Sequence, residues 1–245
     1  MHPNPNTKTN TNQAASVRLF KTSTHPCSYK PDQDAATVFV DPNVPINRRL
    51  NTKLSEQGYR RSGTLLYRPD CESCNACISC RIPVAHFTPR RSHRKIIRSN
   101  SDLTMTECNN PGDLALFDLY QRYINTRHLD GDMYPATIGQ YDAFIKTCPP
   151  HTRFLTFHHG DELKAVSVVD ELEHGLSAVY TFYDPLDERR SLGNYVILQQ
   201  IELAKSTGLT YLYLGYWVKD CPKMHYKTSF RPLELLIDGR WLLVK

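Results

Sequence analysis

Half of the eight cysteines in this chain lie within ten residues, at steps of three: Cys71, Cys74, Cys77 and Cys80. Thiolates bind zinc and iron–sulfur clusters, and flanking cations such as Arg68 and Arg81 lower thiol pKa values. Two C-x2-C pairs this close are tight for one tetrahedral zinc. We therefore expect three ligands from the run and one from a distant cysteine, for which Cys27 is the candidate. The alternative is a set of free, buried thiols.

Two further patterns indicate phosphate or nucleic acid. Arg190 and Gly193 frame an R-x-x-G turn between a predicted strand and a predicted helix, where backbone N–H groups attract phosphate. The turn is similar to the pyrophosphate-binding turn of acetyltransferases; an ordinary polar loop is the alternative. Lys223, Tyr226 and Lys227 alternate cation and aromatic after a strand, which suits base stacking with phosphate contact. Here the alternative is an aromatic core strand followed by a basic loop.

A fourth pattern is the Arg127-His128 pair at the end of a predicted helix. Such a pair can bind a carboxylate or take part in acid–base chemistry. The alternative is plain capping, because cations are favoured at helix C-termini.

These patterns need a framework of helices and strands to position them. Periodicity and caps predict helices after Asn47, Pro89, Pro111, Thr137 and Ser191. Alternation and turn signals predict strands at residues 17–20, 36–40, 59–67, 81–84, 153–157, 163–170, 176–183, 209–218, 233–237 and 240–244. Two hairpins are predicted, one from 163–170 and 176–183 and the other from 233–237 and 240–244. The order suggests an α+β protein with a disordered tail at 1–16, a small basic cysteine-bearing unit at 17–100 and a second unit at 101–245.

Charge is distributed unevenly along the chain. The net charge is +5, but residues 48–98 hold twelve Arg and Lys against three acids, so that this segment carries +9 and the remainder −4. A polyanion partner or acidic substrate is indicated, with a solvated basic face as the alternative. The N-terminal residues lack an apolar core typical of a secretion signal, and the apolar runs are far too short to span a membrane. We expect a cytoplasmic protein without membrane contact.

Taken together, several stretches in order resemble the bacterial branch of the aminoacyl-tRNA–protein transferases. The resemblance covers about residues 17–236, and its stretches are Pro26-Cys27-Ser28-Tyr29, Tyr67-Arg68-Pro69-Asp70-Cys71, Arg81-Ile82-Pro83-Val84, Tyr120 through Arg127-His128 to Met133-Tyr134-Pro135, and Tyr211-Leu212-Tyr213-Leu214-Gly215-Tyr216 through Lys223-Met224-His225-Tyr226-Lys227 to Phe230-Arg231-Pro232.

This resemblance implies a cysteine-bearing N-terminal domain and a C-terminal domain of acetyltransferase (GNAT)-like fold. It implies transfer of leucine from leucyl-tRNA to proteins with N-terminal Asp or Glu, which creates an N-degron for the N-end rule pathway. No ATP or acetyl-CoA is needed, because the aminoacyl ester is already activated. It also implies zinc or an iron–sulfur cluster on Cys27, Cys71, Cys74 and Cys77, while the family does not generally need a cysteine at Cys80. Some relatives carry a further cysteine where this chain has Lys30, which leaves the full ligand set open.

Site roles follow from the resemblance as hypotheses. Acceptor binding is assigned to Arg81, supported by Arg127, His128 and Tyr134, because a guanidinium can grip a carboxylate with two bonds. Aminoacyl-tRNA binding is assigned to Lys223, Tyr226, Lys227 and Arg190. The sequence names no catalytic residue.

Three alternatives stay open at the level of the sequence. The first is an arginyl-tRNA–protein transferase with the same acceptors. The second is an N-acetyltransferase that uses acetyl-CoA at the Arg190 turn, which leaves the basic cysteine-bearing unit without a role. The third is a metal-containing or iron–sulfur RNA-binding protein without catalysis, which leaves the second unit without one.

Overall fold

The computed structural model describes residues 17–244, so the tail predicted at 1–16 lies outside the described part of the chain. Five α-helices are present, bounded as follows: α1 Arg48–Glu56, α2 Arg91–Ser99, α3 Leu114–Arg127, α4 Ile138–Tyr141 and α5 Leu192–Ser206. Short 3₁₀ segments lie at Val84–His86, Glu188–Arg190 and Pro222–Ser229, and a π-helical turn at Asp142–Lys146.

Fourteen strands make up the sheets of the described region. They are β1 Leu19–Lys21, β2 His25–Pro26, β3 Asp34–Ala35, β4 Thr37–Val40, β5 Arg60–Ser62, β6 Leu65–Pro69, β7 Ile78–Pro83, β8 Thr104–Cys108, β9 Thr152–His159, β10 Glu162–Glu171, β11 Gly175–Tyr183, β12 Tyr211–Trp217, β13 Leu233–Ile237 and β14 Arg240–Val244.

One eight-stranded sheet dominates, in the order β14-β13-β7-β12-β11-β10-β9-β8. A four-stranded sheet, β1-β4-β6-β5, and the small β2-β3 pair lie before it in the chain. Within the large sheet only β11 and β12 run parallel, and α5 is the crossover between them. The predicted α+β class is therefore confirmed, with a large mixed sheet.

Two helices cover opposite faces of the sheet. Leu198 and Ile201 of α5 pack on alternate residues of β7 and β12, such as Ile82 and Leu212. Helix α3 packs Tyr120, with its neighbours Leu119 and Ile124, against Val166, Val168 and Phe182 of β10 and β11. Period-two burial in the strands and period-3.6 burial in the helices close one core on each face.

The cysteine run ends inside the large sheet rather than in a loop. Strand β7 begins at Ile78 and pairs antiparallel with both β12 and β13. The predicted N-terminal unit thus contributes a central strand to the main sheet, and the domain boundary near residue 100 stays a prediction.

Local sequence signals predicted most helices correctly but missed some turns. Asn47 caps α1 through a 2.8 Å bond from the Leu50 amide, and Thr137 forms the predicted capping box with Gln140. The single strand predicted at 59–67 is wrong: it is the hairpin β5-β6, turning at Gly63, where a Cβ would lie 2.5 Å from the Ala143 carbonyl oxygen. Helix α3 begins three residues later than predicted, because Asp113 rather than Asn110 caps it. The mostly exposed edge strand β8 carries little apolar signal and was not predicted.

Candidate functional site

A cavity of about 880 Å³ opens where β11 and β12 separate. The two strands pair only from Gly175 to Ser177, opposite residues 211–213, and then diverge. The N-terminal turn of α5 and the segment after β12 close the sides, since the cavity is lined by residues 191–194 and by Lys223, Met224, Tyr226 and Lys227. Ligands of sheets with parallel strands commonly bind where strands part at their carboxyl ends, which makes this cavity the candidate site.

The guanidinium group of Arg60 fills the gap between the diverging strands. Its Nη1 donates to the Leu214 carbonyl oxygen at 3.2 Å, and its Nη2 donates to the Ala178 and Val179 oxygens at 3.1 Å each. These three carbonyl groups belong to strands that have lost each other as partners. Arg60 therefore satisfies backbone acceptors that would otherwise be orphaned and places a permanent positive charge in the cavity wall.

Gly215 is what lets Arg60 reach this position. A Cβ on Gly215 would lie 1.3 Å from Arg60 Nη1, so any side chain there would exclude the guanidinium. Gly215 also has φ near +73°, a backbone conformation that other residues adopt only with strain. The glycine is thus required both for close approach and for the bulge in β12 at this point.

Lys227 forms a second cationic part of the wall. It lines the cavity, yet only 4% of the residue is exposed, and its Nζ donates to the Tyr216 carbonyl oxygen. No ion pair involves Lys227 within residues 17–244. Burial lowers the pKa of Lys227 to about 8; the nearby Cys80 thiol opposes this shift and Arg60 adds to it.

Aromatic and aliphatic side chains make up the rest of the chamber: Tyr123, Met133, Val179, Tyr180, Tyr183, Ile197, Leu214, Met224 and Tyr226. The Tyr123 and Tyr183 rings lie 4.8 Å apart. Burial raises the pKa of Tyr180, and its hydroxyl has no hydrogen-bond partner among the described residues. The chamber can therefore enclose an apolar group of a ligand, and the Tyr180 hydroxyl remains free to form a hydrogen bond with that ligand.

The rim of the cavity carries paired charges. Arg127 bonds Glu188 at 3.1 Å, and Lys223 bonds Asp130 at 2.7 Å. The His128 ring packs 5.1 Å from the Tyr123 ring. Burial lowers the pKa of His128, and Lys223 contributes to the same shift. Because both ion pairs are exposed, their partners can be exchanged for charges on a ligand at little cost.

The structure brings five of the eight predicted substrate-binding residues to this cavity: Arg127, His128, Lys223, Tyr226 and Lys227. Arg81 is not among them. It is buried, bonds Glu234 at 2.6 Å and the Tyr213 hydroxyl at 3.0 Å, and stacks on Tyr211. Its guanidinium is already committed to an internal carboxylate, so this geometry gives no support to the predicted acceptor role.

Tyr134 and Arg190 also lie outside the cavity lining. Tyr134 is exposed in the segment after α3. Arg190 makes two bonds to Asp102, at 2.6 and 2.8 Å, and precedes the residues 191–194 that do line the cavity. The R-x-x-G pattern thus supports the cavity mouth. A Cβ added at Gly193 would lie 3.1 Å from the Tyr183 ring, so the glycine allows close packing there.

The predicted metal ligands converge without forming a closed site. In the described part of the chain no three His, Cys, Asp or Glu side chains are arranged to hold a metal ion. Burial raises the pKa of Cys77 to about 11, and the Cys27, Cys71 and Cys74 thiols are near enough to add to that shift. Cys80 turns away into the core and donates to the Gly215 carbonyl oxygen at 3.2 Å. Thiols fit zinc or an iron–sulfur cluster in donor type, and the ligand set stays a prediction.

Sequence reasoning missed Arg60 and Tyr180, two of the residues that shape this cavity. Arg60 was counted only as part of a basic segment, since the carbonyl groups it binds come from strands more than one hundred residues away. Tyr180 reads as an ordinary strand residue. A sequence signal existed only for Gly215, a glycine inside an aromatic strand, which is typical of a bulge or a close backbone approach.

Two family models match the chain in order. The model described as "Arginine-tRNA-protein transferase, N terminus" matches residues 25–95. The model described as "Arginine-tRNA-protein transferase, C terminus" matches residues 115–237. The first match contains the cavity residues Tyr29 and Arg60 together with the cysteine run, and the second contains the other residues that line the cavity.

Curated relatives are similar over nearly the whole chain. An aspartate/glutamate leucyltransferase of Pseudomonas fluorescens (strain Pf0-1) is 49% identical over 232 residues, which is 95% of this chain and 99% of that protein. One of Teredinibacter turnerae (strain ATCC 39867 / T7901) is 51% identical over 229 residues, 93% of this chain and 94% of that protein.

Solved structures are more distant. A crystal structure of FemX has a TM-score of 0.47 at 7% identity, covering 85% of this chain and 81% of that one. The structure of L-PGS from Bacillus licheniformis has a TM-score of 0.44 at 10% identity, covering 58% of this chain and 45% of that one. Within residues 17–244, no helix is both long and apolar enough to cross a membrane.

Proposed function

The chain belongs to the arginine-tRNA-protein transferase family, and on this premise we propose that it transfers leucine from leucyl-tRNA to the N-terminal Asp or Glu of acceptor proteins. The observation that carries the proposal is about 50% identity, across more than nine-tenths of the chain, to proteins named aspartate/glutamate leucyltransferase. The added leucine creates an N-degron for the N-end rule pathway. The reaction belongs to the cytoplasm, where charged tRNA and new N-termini meet.

The reaction exchanges an ester for an amide. The acceptor's α-amine, with an ordinary pKa of about 7.7–8.0, loses a proton and attacks the aminoacyl carbonyl carbon. A tetrahedral intermediate forms and breaks, and the tRNA 3′ oxygen leaves with a proton. Positioning of amine and ester supplies much of the rate, because the ester is already activated. The cavity between β11 and β12 holds both groups away from bulk water.

Lys227 is the candidate proton acceptor in this scheme. Its pKa near 8 matches that of the α-amine, so proton transfer between the two is nearly balanced. The positive charge of Arg60 beside it stabilises the oxyanion of the tetrahedral intermediate. The exposed Lys223 and Tyr226 contact the 3′ end of the tRNA by charge and by stacking.

The charges of the cavity favour leucine over arginine as the donor. Asp187 and Glu188 are the acids in the wall, and each is paired with an arginine, Arg190 and Arg127 respectively. Arg60, and Lys227 in its protonated form, add positive charge without carboxylate partners among the described residues. A guanidinium side chain would meet net repulsion in this chamber, whereas an isobutyl group fits its aromatic and aliphatic lining.

The acceptor's acidic side chain is assigned to Arg127 and His128 at the rim. Arg127 already binds a carboxylate there, that of Glu188. An incoming Asp or Glu replaces this partner in the same geometry, which gives a preference over Asn and Gln. Tyr134 is exposed further along the same segment, where it is open to contact with the rest of the acceptor chain.

We further propose that residues 101–245 have an acetyltransferase-like fold. The support is the parallel pair β11 and β12, joined by α5 and diverging around the cavity. An acetyl-CoA-dependent reaction is disfavoured, because Arg60 already occupies the carbonyl groups of the diverging strands that an extended ligand would use. Protection against thermal unfolding by leucyl-tRNA but not by acetyl-CoA is the expected result.

Zinc or an iron–sulfur cluster on Cys27, Cys71, Cys74 and Cys77 remains a proposal about structure. A bound metal would connect the loop that contains Cys27 to the cysteines before β7 by coordination to their thiolates, close to the cavity residue Tyr29. Metal analysis after anaerobic purification tests it: Cys71→Ser is expected to lose the metal, while Cys148→Ser keeps it. Metal-free wild-type protein with full activity would contradict this proposal.

A transfer assay tests the function itself. Separately charged leucyl- and arginyl-tRNA are offered with peptides that begin with Asp, Glu, Asn, Gln or Lys. Leucine transfer to the Asp and Glu peptides alone is expected. Arginine transfer to the same peptides would instead support the arginyl alternative, and tRNA binding without any transfer would support a non-enzymatic RNA-binding protein.

A further inference from the structure

The outer face of α2 is an unusually pure cationic surface. Arg91, Arg94, Lys95 and Arg98 stand at i, i+3, i+4 and i+7, so their exposed side chains share one face of the helix. His93 is buried on the inner side, and Ile96 and Ile97 pack against the two cores that border α5. The helix thus has a packed face and a charged face.

These cations have no carboxylate partners in the described structure. No ion pair within residues 17–244 involves any of them, and no acid occurs from Thr88 to Ser101. Some exposed cations elsewhere on the surface are paired, as Arg122 is with Asp118 and Lys223 with Asp130. Like charges at these spacings repel, and Arg91 also lies at the positive end of the helix dipole. This repulsion destabilises the isolated helix, and an external anion bound to the cations would offset it.

Helix α2 points towards the cavity mouth. Its last residues are tied to the loop before α5: Asn100 donates to the Arg190 carbonyl oxygen at 2.8 Å, and Arg190 donates to that of Ser99 at 3.3 Å. At the other end, Lys205 of α5 donates to the Phe87 carbonyl oxygen at 2.9 Å. Helix α2 therefore runs antiparallel beside α5, with Arg98 nearest the mouth and Arg91 farthest from it, about 10 Å away along the axis.

We propose that this face of α2, defined by Arg91, Arg94, Lys95 and Arg98, binds the phosphate backbone of the tRNA acceptor arm. The inference rests on the proposed function, since it takes the 3′ end of the tRNA to lie in the cavity. The single-stranded 3′ end enters at the loop 188–191, and the double-stranded stem lies along α2. Contacts of this kind read charge and shape rather than sequence, which suits a surface made only of flexible cations.

The test removes the four charges while keeping side-chain length. The variant carries Arg91→Gln, Arg94→Gln, Lys95→Gln and Arg98→Gln. A control removes four exposed cations elsewhere, through Arg18→Gln, Arg49→Gln, Lys53→Gln and Arg240→Gln. Binding of uncharged tRNA is measured by fluorescence anisotropy at several salt concentrations. The slope of log affinity against log salt is expected to fall by about 3 in the α2 variant, with at least about tenfold weaker binding at low salt.

The control and wild type are expected to share one salt slope. All of the exchanged side chains are exposed, so neither variant should melt below the wild-type temperature. If the α2 variant does not fold, Arg94→Gln with Lys95→Gln alone is expected to lower the slope by about half as much. A second variant, Arg91→Lys with Arg94→Lys and Arg98→Lys, keeps the charges and is expected to bind as wild type.

An unchanged salt slope in the α2 variant would overturn the proposal, and so would an equal fall in the control. Loss of binding to vesicles of phosphatidylglycerol, with tRNA binding intact, would assign the surface to a membrane instead. Because the measurement uses uncharged tRNA, it separates the two claims: wild-type protein that binds tRNA through α2 but transfers no leucine would refute the proposed function alone.

Discussion

Arg60 and Arg61 are neighbours in β5, yet their guanidinium groups end in opposite environments. Arg61 is 1% exposed and bonds both oxygens of Asp170, at 2.6 and 2.8 Å, within a network that includes Asn51 and Thr152. Arg60 bonds only backbone carbonyl groups, in the wall of the cavity. We call this network around Arg61 the seam. Every donor in the seam faces a matching acceptor, so that its charges are balanced within the protein.

By comparison, the charge of the cavity wall is not balanced within the described residues. Arg60 and Lys227 bring positive charge to one side of it, and the described residues supply no carboxylate for either. Burying an unpaired charge lowers the stability of a protein. A buried and hydrogen-bonded ion pair, such as the one in the seam, destabilises the protein only when one partner is removed. The difference indicates that the seam holds the small sheet on the large one, whereas the proposed function gives the charge of the wall to a substrate and an oxyanion.

The largest effect is expected from breaking the seam. Asp170→Asn replaces the carboxylate beside the buried Arg61 by a neutral amide, so the guanidinium charge is left unpaired. The free energy of unfolding should therefore fall by about 3–5 kcal/mol in urea titrations. Activity per folded molecule should stay near wild type, since neither residue lines the cavity. Glu107→Gln, which breaks the exposed pair with Arg153, is the control and should cost about 0–1 kcal/mol. A specific loss of leucine transfer in folded Asp170→Asn protein would contradict the division between seam and wall.

Removing the buried amine tests the wall from the other side. The pKa of Lys227 lies lower in the folded protein, at about 8, than in the unfolded chain, so unfolding takes up a proton between these two values. The stability of wild type relative to Lys227→Met should therefore rise from pH 8 to pH 10, by about 2 kcal/mol. Leucine transfer should fall about a hundredfold or more in the variant.

Lys223→Met is the matched control for this experiment, because it removes an exposed ammonium from the same segment. Its stability should follow wild type at both pH values. Equal stability of wild type and Lys227→Met across this pH range would show that the amine is not buried as described.

Filling the space at Gly215 displaces Arg60. Gly215→Ala should cost about 1–2 kcal/mol for the positive φ alone and should also weaken transfer, because the guanidinium leaves the strand gap. In an Arg60→Ala background the same substitution has no guanidinium to displace, so its additional cost should be smaller. A double-mutant cycle in urea measures this coupling, and strictly additive effects would argue against the contact.

The smallest effect on stability is expected at the rim. Arg127→Gln removes an exposed ion pair and should change the free energy of unfolding by less than about 1 kcal/mol. The KM for a peptide beginning with Asp should nevertheless rise about tenfold or more, with less discrimination against Asn. Arg122→Gln, one turn earlier in α3 and bonded to Asp118, should change neither quantity. Retained discrimination in Arg127→Gln would move acceptor recognition to other residues.

The sequence by itself determined the local elements and the family. Caps, turns and periodicity fixed α1, α4, α5 and the last two hairpins nearly to the residue, because these features depend on neighbours a few positions apart. The ordered motifs from Cys27 to Pro232 carried the family resemblance, which both family models confirm. The cations near Tyr226 pointed to the right segment of the cavity.

Tertiary structure alone decided which charges line the cavity. Arg81 and Arg60 are both arginines in short basic strands, and nothing in their local sequence separates them. One meets Glu234 and becomes internal, while the other meets the carbonyl groups left by two diverging strands and becomes a cavity wall. That outcome depends on contacts more than one hundred residues apart in the chain, which local patterns do not encode. The same contacts turned the end of the cysteine run into the central strand β7.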